Sequence, residues 1–257
     1  MNYRLLLPLL LLCSSFSTSA EERWFEVEVL LVQRNTSLAK ISEKLSDHAI
    51  FVNTANSISI LKVPPAGTRN PVVITEAQFD HSGNDFKLLD SSRLQFTEQR
   101  KKLASHAAFT PVLHMAWQMP VESANIAKPI HLFAGENLEL SSQSGNKWAI
   151  DGNFKVYLNR YLFIDSQLIV RKKILAEAIE VPVRAAKSNI TKTETETKNG
   201  VEIIALKTEV VPVEDNQQVV IKEILFDQNR RLRSEEIHYL DHPLVGIIVQ
   251  IRKITDK

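Results

Sequence analysis

The sequence predicts an α+β fold, a curled and mainly antiparallel sheet with one or two packed helices. Apolar and polar residues alternate with period 2 along several segments, the pattern of strands that bury one face. Two polar segments instead have apolar residues at helical spacing or many helix-forming residues. Turn-forming residues separate the C-terminal strands, which favours an antiparallel meander there. We expect one domain over residues 21–257, because the first strand is too short to be stable without the meander.

The first 20 residues of the 257-residue chain have the composition of an export signal. One arginine precedes an apolar stretch from Leu5 to Cys13, and small polar residues follow. Thr18 and Ala20 occupy the −3 and −1 positions of a cleavage site. We therefore expect a signal peptide at residues 1–20, cleavage between Ala20 and Glu21, and a periplasmic mature protein.

Composition limits the chemistry of the remaining chain. The signal contains one of the 31 Lys and Arg residues and none of the 30 Asp and Glu residues, so the rest is formally neutral. A general nucleic-acid binder would need a basic excess. Cys13 is the only cysteine, so the mature chain has no thiol for a disulfide or a zinc site. Two alternatives are disfavoured: a membrane span needs a longer apolar stretch of ~20 residues, and lipidation of Cys13 needs a smaller residue than Leu12.

The N-terminal half is predicted to combine one strand, two helices and a long connection. In the first strand, apolar residues share one face while Glu26 and Glu28 lie on the opposite, polar face. Several prolines and glycines make the connection irregular. In chain order the elements are a strand at Trp24–Arg34, a helix at residues 35–48, the connection at residues 62–84 and a helix at residues 91–107.

The C-terminal half is predicted to be mostly strand. The alternating segment from Phe154 to Val170 is too long for one flat strand, so we expect a bend or bulge near Arg160 or Asp165. Turns are expected at residues 227–229 and 241–243. The other predicted strands are Phe109–Met119, residues 130–135, Lys147–Asp151, Val219–Phe226, Arg231–Leu240 and Gly246–Ile254.

Residues 187–200 are a compositional break. The segment reads KSNITKTETETKNG, and its only large apolar residue is Ile190. Such a segment buries too little apolar surface to offset the entropy of ordering it. We expect a flexible, solvated loop or an extended hairpin tip here.

The sequence contains no recognised catalytic, cofactor or metal motif: GxSxG, HExxH, Walker A and GxGxxG are all absent. His238, Asp241 and His242 have metal-ligating side chains within five residues, but a structural turn next to Pro243 is the favoured interpretation. Basic clusters are interpreted as solvated surfaces. They lie at residues 100–102, 171–173 and 230–233.

Three segments together resemble the CsiV family of exported bacterial proteins. WFEVEVLLVQR, from Trp24, is similar to that family's W-[FY]-x-[VI]-E start. VLHMAWQMP, from Val112, is similar to its His-x-x-Trp-x-x-Pro strand. LNRYLFIDSQL, followed by RRLRSEEIHYLDHPLVGIIVQI, resembles its C-terminal half, which ends in a His-Pro-[Leu/Phe]-x-Gly-[Ile/Val] strand. Residues 35–107 and 187–200 are the least alike.

The resemblance implies a periplasmic, non-catalytic protein that binds peptidoglycan and supports cell-wall assembly and cell shape. It also implies two protein partners, a bifunctional penicillin-binding protein and its outer-membrane lipoprotein activator. No binding residue is carried over from the family. Two alternatives stay open: an exported scaffold or adaptor that binds an envelope protein without glycan contact, and a wall hydrolase with an unrecognised carboxylate pair.

The residues themselves indicate one ligand-binding region. Wall glycan is rich in hydroxyl groups, so its recognition should combine an aromatic surface with hydrogen-bond donors. Asn159, Arg160 and Tyr161 bring two donors and an aromatic ring together where the long alternating segment should bend. Arg160 also interrupts an otherwise apolar face. The alternative is that a neighbouring acid satisfies Arg160 in an ordinary ion pair.

Overall fold

A computed structural model describes residues 23–37, 50–65, 68–138, 147–175, 197–198, 201–202 and 219–254. These residues contain twelve strands, one α-helix and one short 3-10 turn at Ser91–Arg93. The helix, α1, spans Thr97–Ala104. The strands are β1 Trp24–Arg34, β2 Ile58–Ser59, β3 Lys87–Leu88, β4 Phe109–Pro120, β5 Ile130–Asn137, β6 Trp148–Asn159, β7 Tyr161–Leu175, β8 Thr197–Lys198, β9 Val201–Glu202, β10 Val219–Leu232, β11 Ile237–Asp241 and β12 Val245–Lys253.

Ten of these strands form two five-stranded sheets. Sheet A has the order β11-β12-β1-β4-β3, and sheet B has the order β10-β7-β6-β5-β2. Neighbouring strands are antiparallel except for the short β2, which pairs parallel with β5. The remaining strands, β8 and β9, form a separate two-stranded pair.

The two sheets pack face to face around one hydrophobic core. Alternation in β1 directs Val27, Val29 and Leu31 into this core, where all three are fully buried. Sheet B supplies the facing residues, and the ring centroids of Trp117 and Phe154 lie 6.4 Å apart in an edge-to-face contact. Trp117 is therefore a core residue.

The outer face of sheet A is covered by the chain between β3 and β4 and by the loop that precedes β3. Leu30 and Val32 of β1 point to this side and pack with Phe96, next to Leu103 of α1. Leu89 and Leu94 form a second apolar cluster there, with Ala116 of β4. Strand β1 is thus buried on both faces, which a simple alternating pattern does not predict.

The fold class differs from the prediction. The sheets are mostly antiparallel, as expected, but they are two packed sheets without strong curl, and α1 is the only α-helix among the described residues. The fold is mainly β rather than α+β. The predicted helix at residues 91–107 is shorter, Thr97–Ala104, and the one predicted at residues 35–48 falls largely outside the described residues.

The terminal strands also differ from the predicted meander. Strand β10 runs through residues 227–229, where a turn was expected, and pairs with β7 in sheet B. Its last residue, Leu232, precedes a turn that carries the chain to β11 in sheet A. Residues 241–243 do form part of a turn between β11 and β12. Only the last two strands are therefore adjacent in one sheet.

Several predictions concern residues outside the described ranges. The signal sequence and its cleavage site, Ala20 and Glu21, lie there, as does most of the loop at residues 187–200. Within that loop, Thr197–Lys198 pairs antiparallel with Val201–Glu202. Among the described residues, no helix combines the length and apolarity that crossing a bilayer requires.

Candidate functional site

The long alternating segment contains a hairpin. Strands β6 and β7 pair antiparallel, with Leu158 opposite Leu162 and Asn159 opposite Tyr161, which leaves Arg160 at the tip. Arg160 has a φ of 60°, a left-handed conformation that is uncommon for a residue with a Cβ. The predicted bend near Arg160 is therefore at the right position, but it is the turn of a hairpin between two strands and not a bend within one strand. The hairpin also explains why Arg160 interrupts the apolar face, because it belongs to neither strand.

The outer face of sheet B presents aromatic and basic side chains beside this hairpin; Tyr161 and Arg231 are exposed, and Tyr157 and Phe163 are half-buried. Tyr157 on β6, Phe163 on β7 and Arg231 on β10 lie opposite one another across three adjacent strands. The Tyr157 and Phe163 rings are stacked, 5.3 Å between centroids with an interplanar angle of 8°. Tyr161 is 43% exposed at the end of the sheet. We call Tyr157, Tyr161, Phe163, Arg160 and Arg231 the aromatic platform.

Two arginine side chains contact the Tyr161 ring. The Arg231 guanidinium carbon lies 4.3 Å from the centroid of the Tyr161 ring, and that of Arg160 lies 5.6 Å from it. Such contacts stabilise by about 0.5–1 kcal/mol at exposed sites. Arg160 therefore has an aromatic partner, the Tyr161 ring. The Asn159 side chain is exposed next to it.

Polar groups border the platform on its inner side. Asn229 Nδ2 donates a hydrogen bond of 3.0 Å to the hydroxyl of Tyr157. Lys155 Nζ donates to the carbonyl oxygen of Ala124 at 2.7 Å and lies 5.5 Å from the Tyr157 ring centroid. Burial and the nearby charge of Asp227 raise the pKa of Asp165, against the opposing effect of Lys155. Donors, a cation and one partly dehydrated carboxylate, Asp165, thus surround the rings.

The predicted site residues are close together, but they are only part of the platform. Tyr157 and Phe163 were missed because the prediction followed the apolar face of the segment. Both lie at odd positions, on the face assigned to polar residues, and two aromatic rings there were the available signal. Arg231 was assigned to a solvated basic cluster; it is exposed, and its guanidinium contacts Tyr161.

A second polar cluster lies on the outer face of sheet A, and it is buried. Glu28 and His114 are both fully buried, with His114 Nε2 donating to Glu28 Oε1 at 3.0 Å. Phe96 N donates to the same oxygen at 2.9 Å, and Arg252 Nη1 donates to Glu28 Oε2 at 2.9 Å. Glu28 does lie on the face opposite Val27 and Val29, as predicted, but that face is covered and Glu28 is fully buried. We call Glu28, His114 and Arg252 the buried cluster.

Hydrogen bonding sets the ionisation of Glu28. Burial alone raises its pKa, but hydrogen bonds from His114, from backbone amides and from Arg252 outweigh burial and lower the pKa below its ordinary value of 4.5. A charged carboxylate accepts and does not donate, so the proton between Glu28 and His114 is on His114 Nε2. His114 Nδ1 is buried and has no hydrogen-bond partner among the described residues.

The His238, Asp241 and His242 side chains do not converge on one point. His238 Nε2 lies 3.2 Å from Arg233 N, Asp241 pairs with Arg34, and His242 Nδ1 accepts from Leu244 N at 3.2 Å. In the described part of the chain no group of three or more His, Cys, Asp or Glu side chains has metal-binding geometry. The hydrogen bond at His242 thus fits the turn interpretation. The Asp241 side chain pairs with Arg34.

Gly246, which follows the His-Pro pair, has a packing role. A Cβ atom at this position would lie 2.5 Å from the hydroxyl oxygen of Tyr239 and 2.7 Å from its ring. Only glycine lets Tyr239 lie flat across β12 and accept a hydrogen bond of 2.8 Å from Arg34 Nη2. Packing against Tyr239 therefore explains the glycine in the last segment of the resemblance.

The family comparison agrees with the resemblance that the three sequence segments indicate. A family model described as "Peptidoglycan-binding protein, CsiV" matches residues 4–254, nearly the whole chain. No curated protein and no solved structure matches the chain. The comparison therefore indicates a binding protein without indicating which residues bind.

Proposed function

The chain belongs to the CsiV family of peptidoglycan-binding proteins, and from that premise we propose that the aromatic platform is its contact surface for wall glycan. The observation that carries this proposal is the row of Tyr157, Phe163 and Arg231, aligned across three strands on an uncovered sheet face. Tyr161, half-exposed beside Arg231, extends that row to the end of the sheet.

The platform suits a sugar chain chemically. The apolar faces of sugar rings pack on aromatic rings, and the polar edge of tyrosine remains available for hydrogen bonding. Guanidinium groups at Arg160 and Arg231 donate to hydroxyl and N-acetyl oxygens, and Asp165 accepts from hydroxyl groups. Three adjacent strands span about 10 Å, a width suited to consecutive sugar rings rather than to a single small molecule.

The platform is bounded, which gives the proposed site a definite position. At the other end of the same face, residues 50–57 cover sheet B: Ser57 Oγ donates to Asn153 Oδ1 at 2.6 Å, and Asn153 Nδ2 donates to the Asn53 carbonyl at 2.9 Å. At the hairpin end, the described residues leave Tyr161 exposed and Tyr157 and Phe163 partly exposed. Glycan contact is therefore proposed at the hairpin end alone.

The cellular role proposed is that of a non-catalytic periplasmic regulator. Binding to the wall would hold the protein beside the enzymes that extend it, where it would support wall assembly and cell shape by activating a bifunctional penicillin-binding protein. The export-type N-terminus and the binding described for the family support this role. The activator lipoprotein enters this proposal as the second protein partner.

A second candidate function is that of an adaptor that binds an envelope protein. Three of the exposed large apolar side chains lie on the edge strands of the two sheets: Leu225 on β10, and Ile237 and Tyr239 on β11. Edge strands offer unpaired backbone groups to a partner strand. A photocrosslinker at Ile237 that captures a penicillin-binding protein in cells would support this function, whether or not glycan binds elsewhere.

The test of the glycan proposal is sedimentation with purified wall sacculi. Tyr161→Ala and Arg231→Ala should each weaken pelleting about tenfold, because one aromatic or cation–π contact contributes roughly 1–1.5 kcal/mol. Phe51→Ala is the matched control, since Phe51 is an 85% exposed aromatic residue away from the platform. Circular dichroism and thermal melting should show all three variants folded.

Wild-type pelleting by both folded platform variants would remove the platform as the glycan site. A defect of equal size in Phe51→Ala would mean that exposed aromatic rings bind sacculi non-specifically. Muropeptide release by the wild-type protein would instead support the hydrolase alternative.

A further inference from the structure

A cleft lies at the end of the sandwich opposite the hairpin. It has a volume of about 250 Å³ and opens where the end of β1 meets the end of β7. Its floor is aliphatic, and four cations line its rim. The aliphatic residues are Leu138, Ala149, Val170 and Leu244, and the cations are Arg34, Arg171, Lys172 and Lys173.

Two of these cations are neutralised by acids. Arg171 is only 8% exposed and donates to Glu223 Oε1 at 2.7 Å through Nε and to the Trp148 carbonyl oxygen at 2.9 Å through Nη1. Lys173 Nζ lies 3.0 Å from Glu136 Oε1. The expectation of a solvated basic surface at residues 171–173 is therefore wrong for Arg171, which is structural.

Lys172 and Arg34 have donor groups that no partner among the described residues occupies. The only described partner of Lys172 Nζ is the carbonyl oxygen of Thr36, so no acid neutralises it within the described ranges. An ammonium group has three donors, and one carbonyl uses only one of them. Arg34 bonds Tyr239 and Asp241 through Nη2, but its Nε is buried and has no partner among the described residues.

Burial lowers the pKa of Lys172, which means that the folded protein holds this charge at a cost. An anion in the cleft would offset that cost and would accept hydrogen bonds from the Lys172 ammonium group. The aliphatic floor has no aromatic ring for a sugar face and no charge to repel an alkyl group. At about 250 Å³ the cleft is smaller than the sites that hold drug-sized molecules, so it fits one or two small residues.

We propose that this cleft binds a free α-carboxylate next to a small aliphatic side chain, the chemistry of the C-terminal end of a wall stem peptide. Lys172 holds the carboxylate, while Val170 and Leu244 contact the alkyl group. The proposal rests on the proposed wall-binding function and deepens it: the platform contacts glycan, and the cleft contacts peptide. Eleven strand residues separate Arg160 from Arg171, about 36 Å, so the two sites would engage different parts of the polymer.

The probe is a diacetyl-lysyl-D-alanyl-D-alanine peptide, compared with the same peptide carrying a C-terminal amide, by isothermal titration or NMR line shifts. The wild-type chain should bind the acid at least tenfold more tightly than the amide, because a charge-assisted hydrogen bond is lost in the amide. Lys172→Met should remove that preference, and Lys172→Arg, which keeps a cation, should retain most of it. Lys101→Met, on the exposed surface of α1, is the control for loss of one positive charge.

Equal binding of acid and amide by the wild-type chain, or no binding, overturns the proposal. Stronger competition by inorganic phosphate than by acetate also overturns it, because it would assign the cleft to phosphate. Failure here is distinguishable from failure of the glycan proposal: Lys172→Met should retain binding to N-acetylglucosamine oligomers, and Tyr161→Ala should retain the preference for the peptide acid. Melting temperatures identify any variant that does not fold.

Discussion

The outer faces of the two sheets both carry charged and aromatic side chains, yet they differ in what covers them. On sheet A the chain leading into β4 buries Glu28, His114 and Phe96 completely. On sheet B the hairpin end leaves Tyr161 and Arg231 exposed. Buried charges are kept only when they are paired and hydrogen-bonded, whereas exposed ones remain free to meet a ligand. A structural cluster and a binding surface therefore differ in whether other parts of the chain cover the charged side chains, and not in residue type.

The comparison also explains the motifs of the resemblance. Glu28 lies in the first motif and His114 in the second, and the structure places them in contact. Gly246 of the third accommodates Tyr239. The motif residues Glu28, His114 and Gly246 therefore stabilise the fold. On the platform, Tyr157 lies outside the three segments, while Tyr161 and Phe163 lie within the third.

The largest expected effect comes from breaking the buried cluster. Glu28→Gln removes the more buried of the two carboxylates that pair with Arg252. Loss of one partner from a buried ion pair costs about 3–5 kcal/mol of unfolding free energy. Urea denaturation followed by tryptophan fluorescence measures this loss. Glu98→Gln is the control, because its exposed pair with Lys101 should contribute nothing measurable. Equal stability of the two variants would contradict the structural role of Glu28.

The second prediction concerns acid pH. The pKa of Glu28 is lower in the folded protein than its ordinary value of 4.5, so unfolding takes up a proton at this residue as pH falls. Its contribution to stability is complete above pH 4.5 and is lost as pH falls through the lower, folded-state pKa. Urea midpoints between pH 6 and pH 3 should therefore fall more steeply for the wild type than for Glu28→Gln. Parallel curves would show that another group controls the acid transition.

A sequence pattern predicts local structure, such as a strand, better than it predicts burial by distant parts of the chain. Strands β1 and β4 were identified because alternation and apolar content report strand structure directly. The burial of Glu28 was not predictable from β1 alone, since its cover comes from residues more than sixty positions away in the sequence. The turn expected at Asp227–Asn229 failed because polar residues on the outer face of a long strand resemble turn residues.

The sequence predicts only part of the proposed platform. Asn159, Arg160 and Tyr161 were identified from composition at an expected bend, and they do lie at the hairpin tip. Arg231 is seventy residues further on and joins the site only because β10 pairs with β7. Register between distant strands is a tertiary property, so the complete platform required the structure.

The smallest expected change in stability is at the hairpin tip. Substitution of Arg160 there should affect binding to sacculi much more than the unfolding free energy. Arg160 adopts a φ of 60°, which glycine accepts without strain, so Arg160→Gly should leave the unfolding free energy unchanged or raise it by up to about 1 kcal/mol. The same change removes a guanidinium from the Tyr161 ring and should weaken sacculus pelleting several-fold. Arg160→Ala is the companion variant, because it removes the guanidinium but keeps the strained backbone. Weaker binding by both, with only the glycine variant gaining stability, is the expected result. Wild-type binding by both would show that Arg160 shapes the turn without contacting the ligand.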